Sequence, residues 1–365
     1  MNLHFRFAIA SDLHVALPHT IGDRNKRFHL VEASVPALEC VLDRFSERDI
    51  DFLLLAGDLT QHGEADNHAW LSKRLATVPF PVYAIPGNHD VPLPRANDRL
   101  IGFDEFPSYY RHCGYEGRDQ LYYSRPVAPG VWLIGLNSNE FDDRGEQHGR
   151  LDAVQMAWLE RELVRLRDEF VLVAIHHNVA EHLPGQSEHP MGQRYMLDNA
   201  PEVRQLLRQS GVSVVLTGHL HVQDIAEQDG IYDITTGSLV SYPHPYRIVE
   251  VCCDDRGCRL QVESKRVRSV PGFPDLARQS REWMGDRSYP FMIRLLTEPP
   301  LSLPRAEAEP LVSSLRYFWA NISHGDATID YPEFPPRVRE FFQQFSATDA
   351  NGTPAFIDND IALFL

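Results

Sequence analysis

The chain is short of positive charge: 35 lysines and arginines stand against 51 aspartates and glutamates, a formal net charge of −16. Phosphate backbones are bound through Lys and Arg that release counterions, so this balance disfavours duplex nucleic acid or an anionic membrane surface as main partner. Long hydrophobic runs are missing as well. Nothing approaches the roughly 20 apolar residues of a membrane span. The opening MNLHFRFAIASDLH lacks the apolar core and small-residue cleavage site of a secretory leader, and a cytoplasmic location is expected. Cysteine is scarce. Cys40, Cys113, Cys252, Cys253 and Cys258 form an odd number with no repeating frame, and the spacing of the last three around the hairpin turn Asp254–Gly257 matches no zinc knuckle. They are expected as reduced, partly buried thiols. Internal repeats and low-complexity tracts are absent. What remains is an ordinary globular composition, 43% hydrophobic over 365 residues, enough for one large domain plus something smaller.

Apolar runs of strand length recur at Phe5–Ala10, Phe52–Ala56, Val82–Ile85, Val131–Leu136, Phe170–Ile175 and Val212–Leu216. Helical spacings lie between several of them. Val35, Leu38, Leu42 and Phe45 form one set, with Ser34 as the expected cap and Pro36 in the first turn. Met156, Leu159, Leu163 and Leu166 form another, and Val203, Leu206 and Leu207 a third that Gly211 stops. This is the rhythm of an α/β protein with a largely parallel sheet. After Val222 it changes. Val222–Ala226, Ile231–Thr235, Arg247–Cys253 and Cys258–Val267 read as a meander completing a second sheet. From about Ser269 the chain is proline-punctuated, then helical at Leu311–Ala320 and Val338–Phe345, and ends in the apolar tail IALFL. Residues 1–268 are expected as one domain. Residues 269–365 are expected as a helical extension that packs on it, shields the site or makes an oligomer contact.

Chemistry-bearing residues sit where the strands end. The first strand is followed by Ser11-Asp12-Leu13-His14, the second by Gly57-Asp58, the third by Gly87-Asn88-His89-Asp90. Phe170–Ile175 is followed by His176-His177-Asn178, and Val212–Leu216 leads to Gly218-His219-Leu220-His221. Each cluster alone admits a plainer reading: Asp as a turn former, Asn-His as a loop, paired histidines as satisfied core or loop residues. Five together at one sheet edge are a poor fit to chance, because the carboxyl edge is where α/β sheets bind ligands. Carboxylate, imidazole and amide oxygen suit Mn, Fe or Zn, whereas a thiolate set would have indicated a structural zinc or an iron–sulfur cluster.

In this order D-x-H, G-D, G-N-H-D, a strand-end His and G-H-x-H resemble the calcineurin-like metallophosphoesterase superfamily, over about Phe5–Val267. GDLTQHGE, Asn137-Ser138 and the Leu151–Leu163 helix look most like its bacterial cyclic-nucleotide phosphodiesterase group. The resemblance implies a two-sheet sandwich flanked by helices, in four αββα layers, with two metal ions at the carboxyl edge. Carried over residue by residue, Asp12, His14 and His221 would hold one metal, Asn88, His176 and His219 the other, and Asp58 would bridge them. Gly218 would let the backbone approach closely. His177 is expected to point outward and hydrogen-bond. Two such metals hold hydroxide at neutral pH and clamp a phosphoryl group for in-line attack. His89 would polarise the phosphate or protonate the leaving alkoxide, and Asp90 would be structural.

Departures narrow the choice. Gln61-His62-Gly63 stands where protein Ser/Thr phosphatases carry an acid and an arginine, and Gln61 where purple acid phosphatases carry a metal-binding tyrosine. The expected activity is hydrolysis of cyclic nucleotides or small phosphodiesters. A phosphomonoesterase or nucleotidase is the alternative, and an inactive scaffold ranks last because all seven ligand positions are filled. His62, Tyr242 and His244 are open candidates for substrate contact.

Overall fold

The computed structural model describes residues 2–22, 27–347 and 358–365. The first strand, β1 (Leu3–Ala10), buries its last four residues completely, as a strand covered on both faces must. A turn of 3-10 helix leads into α1 (Ser34–Ser46), which buries Ala37, Leu38, Val41, Leu42 and Phe45. Ser34 is not the cap. Ala33 holds that position, and the Ser34 hydroxyl instead accepts from the Ala16 N–H at 3.1 Å, fastening the helix to the loop after β1. Then β2 (Phe52–Leu55), α2 (Ala65–Leu75) and β3 (Val82–Ala84) extend a parallel row β1-β2-β3.

After α3 (Phe106–Tyr109) the chain builds a second sheet. A hairpin of β4 (Tyr123–Ala128) and β5 (Val131–Gly135) is followed by a small ribbon, β6 (Asn139–Phe141) and β7 (Gln147–Gly149). The next helix, α4 (Ala153–Arg165), starts at Asp152, whose carboxylate accepts from the Gln155 N–H at 2.7 Å. Then come β8 (Phe170–Ala174), α5 (Pro190–Gln193), α6 (Ala200–Gln209) and β9 (Val214–Thr217), with β5, β8 and β9 parallel. Gly211, at φ 77°, follows the end of α6 as expected.

The strands beyond Val222 do not form one meander. A hairpin of β10 (Asp224–Gln228) and β11 (Ile231–Thr235) stays with β9, giving the second sheet the order β10-β11-β9-β8-β5-β4. The next pair, β12 (Pro245–Asp254) and β13 (Gly257–Arg266), returns to the first sheet, with β12 antiparallel to β1. The reason is the free side of β1. Its buried N–H and C=O groups would otherwise lack partners, and β12 supplies them. The crossover is pinned as it passes Asp12: Leu239 N–H donates to Ser11 O at 3.1 Å, and the Ser238 hydroxyl to Asp12 O at 2.9 Å.

The sheets face one another, with Phe5 of β1 edge-on to Phe170 of β8 at 5.9 Å. Alternation sorts the second sheet. Leu172 and Leu216 join the inner core, while Val173 and Val215 pack outward with Leu159 and Leu163 of α4 and Val203 and Leu207 of α6. Each such fully buried side chain contributes roughly 1.5–3 kcal/mol, and this layering holds the sandwich together. The architecture is two mixed six-stranded sheets flanked by helices, as the resemblance implied.

The remaining elements are α7 (Leu276–Asp286), α8 (Tyr289–Thr297), α9 (Arg305–Val312), α10 (Phe318–His324), α11 (Pro336–Gln343) and β14 (Asp360–Phe364). The helix expected over Leu311–Ala320 is split between α9 and α10; Pro310 removes a backbone donor and α9 ends two residues later. The tail IALFL is a strand. Leu363 of β14 lies opposite Leu260 of β13, so the chain ends at the rim of the first sheet. Cys253 and Cys258 are joined by a disulfide, which corrects the expectation that these thiols are reduced. They face each other directly across the β12–β13 ladder, which brings their side chains together. Cys40, Cys113 and Cys252 are free.

Candidate metal centre

Asp12 follows β1, Asp58 follows β2, Asn88 follows β3, His176 follows β8, and His219 and His221 follow β9. Both sheets therefore send side chains from the carboxyl ends of parallel strands into one place. The donor atoms of Asp12, His14, Asp58 and His221 all lie within 4.8 Å of one another, and so do those of Asp58, His176 and His219. Asp58 belongs to both groups. Asn88 lines the same cavity, and its buried Oδ1 has no hydrogen-bond partner. All seven residues expected as ligands thus converge.

The backbone is held in unusual shapes to do this. Nine non-glycine residues among the described residues have positive φ, and five of them are Asp12 (51°), His14 (40°), Asp58 (50°), His219 (69°) and His221 (61°). Such conformations cost of order 1–3 kcal/mol each and gather where function requires them. Glycine permits the close contacts. A Cβ on Gly218 would stand 2.0 Å from Ser11 Oγ, and one on Gly87 2.2 Å from Asp58 Oδ1.

Hydrogen bonds fix which ring nitrogens are available. His176 Nδ1–H donates to Ala56 O at 2.8 Å, and His219 Nε2–H donates to Arg194 O at 3.2 Å. The other nitrogen of each ring is left to face the site, the arrangement by which outer partners orient metal-binding histidines. His176 Nε2 has no hydrogen-bond partner and lies 3.4 Å from Asp58 Oδ1. Orphaned buried groups cost roughly 1–3 kcal/mol each. The Asn88 oxygen, the His176 nitrogen and the mixed O/N set around a shared carboxylate therefore fit a pair of divalent cations.

Electrostatics agree with that fit at His14 and His219 but not at His176, where burial would lower the ring and Asp58 outweighs it, raising it to about 9, so a cation there must displace its proton. Burial, then His29 and His89, hold His14 well below the usual imidazole range, and burial, His177 and His176 do the same to His219. Neutral imidazole is the form that donates to a metal. Burial would raise the Asp58 carboxyl, but His176 and His89 outweigh it and the group stays well below the usual carboxylate range.

The surrounding residues divide into those that face the cavity and those that brace it. His89 is braced and exposed at once: its N–H donates to Asp58 Oδ1 at 2.8 Å and its Nδ1–H to Gln61 O at 2.6 Å, leaving Nε2 free in a ring that lines the cavity. Asp90 accepts from Leu59, Thr60 and Gly87 N–H at 3.0, 2.8 and 2.9 Å, which staples the loop after β2 to the loop after β3. Burial and then Asp58 push its carboxyl up to about 7. His177 hydrogen-bonds Ser138 Oγ at 2.7 Å, but it is buried and lines the cavity instead of pointing outward. Of the open candidates, His62 stacks on His89 at 5.4 Å. His244 is buried between Leu239 O and Ser280 Oγ, and neither it nor Tyr242 lines the cavity.

The cavity has a volume of about 690 Å³. Residues that the motifs did not single out complete it: His29 and Phe28 from the segment before α1, Arg194 and Tyr195 after α5, Phe291 and Met292 of α8, and Trp319 of α10. No strand end or glycine marks them. They come from loops and late helices whose spacing carries no site signature.

Fold and site together define a metal-dependent phosphoric ester hydrolase. The calcineurin-like phosphoesterase model matches residues 5–223, and the chain belongs to that family. It is 27% identical over 207 residues to a 3',5'-cyclic-nucleotide phosphodiesterase of Nostoc, covering 56% of this chain and 68% of that protein. It is 27% identical over 241 residues to a cAMP/cGMP dual specificity phosphodiesterase of Mycobacterium tuberculosis, covering 63% and 67%. A probable glycerophosphodiester phosphodiesterase of Arcobacter nitrofigilis is 26% identical over 175 residues, covering 47% of this chain and 56% of that one. The chain thus spans between about half and two thirds of the length of these relatives. A dimetal phosphatase from Danio rerio shares the fold, with a TM-score of 0.52 and 16% identity over 72% of this chain and 96% of that one.

Proposed function

We propose that the protein hydrolyses cyclic nucleotides or other small phosphodiesters at a dinuclear centre of Mn, Fe or Zn. The observation that carries the reading is Asp58, shared between two donor groups built from both sheets. Asp12, His14 and His221 would hold one ion and Asn88, His176 and His219 the other, with Asp58 between. Two bound ions supply an activated water and positive charge against the phosphoryl oxygens. The chain's own residues do the rest. His89, anchored at Nδ1, presents Nε2 to the cavity, where the doubly protonated ring would give its Nε2 proton to the departing alkoxide and revert to the neutral form.

The cavity supports a diester over a monoester. Among the described residues Arg194 is the only Lys or Arg in its lining, whereas Phe28, Phe291, Met292 and Trp319 form an apolar side. A singly charged phosphate carrying an apolar or planar group suits that wall, and about 690 Å³ is an ordinary size for such a ligand. The similar phosphodiesterases point the same way.

Residues 1–268 as catalytic domain, 269–365 as its extension, a homo-oligomer contact through the C-terminal helices and a cytoplasmic location belong to the same proposal. The Cys253–Cys258 bond removes thiol chemistry as support for that location. No helix among the described residues is long and apolar enough to cross a membrane.

The test is a substrate panel with added Mn, comparing cyclic nucleotides, a bis-aryl phosphate and an aryl monophosphate. Faster turnover of the diesters is expected. Preference for the monoester would replace this reading with a phosphomonoesterase, and no turnover with any metal would favour a scaffold.

A further inference from the structure

One half-buried histidine has no part in the mechanism above. His29 lies outside every motif, yet its ring stacks on His14 with centroids 4.5 Å apart and stands 4.6 Å from that of His221. Donor nitrogens of His14, His29 and His221 all fall within 4.8 Å of one another, a group that shares two histidines with the Asp12 and Asp58 set without including either carboxylate, and His29 lines the same cavity. Its Nδ1 is hydrogen-bonded to Ser241 Oγ at 3.1 Å, so Nε2 is the nitrogen left over. This is the anchoring pattern of a metal-binding histidine.

The segment that carries His29 is held from far away in the chain. Trp283 Nε1–H of α7 donates to Phe28 O at 2.9 Å, and Arg287 Nε–H, just past α7, donates to Arg27 O at 2.9 Å. The Arg287 guanidinium also lies over the Trp283 ring at 3.3 Å. Two adjacent carbonyls are thus gripped by two residues one helical turn apart, and the grip sets where His29 stands.

We propose that His29 is an additional nitrogen donor to the metal held by Asp12, His14 and His221, positioned by Trp283 and Arg287. The inference rests on the dinuclear reading. A third imidazole makes this pocket richer in nitrogen than the Asn88, His176 and His219 pocket, which moves its preference away from Mg and Mn toward Zn or Co. The late helices then hold a ligand in place as well as covering the cavity.

The experiment uses the full chain, stripped with chelator and titrated with Co²⁺ by calorimetry and visible absorption. The wild type is expected to take two equivalents. His29→Ala should keep one equivalent unchanged and bind the other ~10–100-fold more weakly, with an altered cobalt spectrum. Trp283→Phe, which keeps the ring and removes the donor to Phe28 O, should weaken the same equivalent by a smaller factor. Ser241→Ala should do likewise, and it decides the matter if His29→Ala fails to fold. Two unaltered equivalents and an unaltered spectrum in the folded variants would overturn the assignment of His29 alone. A wild type that binds no cobalt would instead overturn the dinuclear reading beneath it.

Discussion

The strand-end loops before Val222 and the helices after Ser269 reach the same cavity by opposite means. The loops deliver charge and lone pairs from a strained backbone: Asp12, Asp58, His219 and His221 occupy positive φ, beside glycines that let main chain touch main chain. The helices bring little chemistry of their own. They contribute Phe291, Met292 and Trp319 as wall, and Trp283 as a hydrogen-bond donor to a distant carbonyl. The difference separates reactivity, which needs atoms fixed to fractions of an ångström, from selection, which needs shape.

That division can be broken or sharpened by mutation. The largest effect is expected from Asp58→Ala, which removes the shared carboxylate: hydrolysis of a generic aryl phosphodiester should fall to background and metal content should drop, with the circular dichroism of the fold retained. Wild-type turnover in this variant would dissolve the contrast. His89→Ala should lower kcat by about 10²–10⁴-fold and leave metal content unchanged, because the proposed mechanism has His89 donate a proton and hold no ion. Elemental analysis checks this, and an emptied site would move His89 among the ligands. Smaller again, Phe291→Ala or Trp319→Ala should raise KM for a cyclic nucleotide about tenfold, given that stacking a base on an aromatic ring is worth roughly 1–3 kcal/mol. In those variants kcat, and turnover of a diester with short alkyl groups, should hold. A loss of kcat instead would mean the wall positions the reacting atoms.

The same contrast explains what could be read in advance. The seven expected donor residues and His89 stood out because each follows an apolar run, and three of them, Asp58, Asn88 and His219, sit next to a glycine that the close approach demands. The α/β class was legible because strand and helix periods alternate cleanly up to Val222, whereas the layered sandwich was implied by the family resemblance and not by the periods. Periodicity tells strand from helix but does not assign a strand to a sheet. Hence β12 and β13 were expected beside β11, whereas the open side of β1 claimed them. Ser34 carried a capping residue's identity but spends its hydroxyl on Ala16. His29 was invisible because a hydrogen bond from Trp283, more than 250 positions later, decides its location.

The grip of Trp283 and Arg287 on the chain ahead of α1 also bears on how the molecule comes apart. Peeling away the late helices would release a segment threaded between the first strand and the first long helix, so the two regions should melt together in one cooperative transition. Bound ions should then leave in that same step, and calorimetric and metal-release midpoints should coincide on heating.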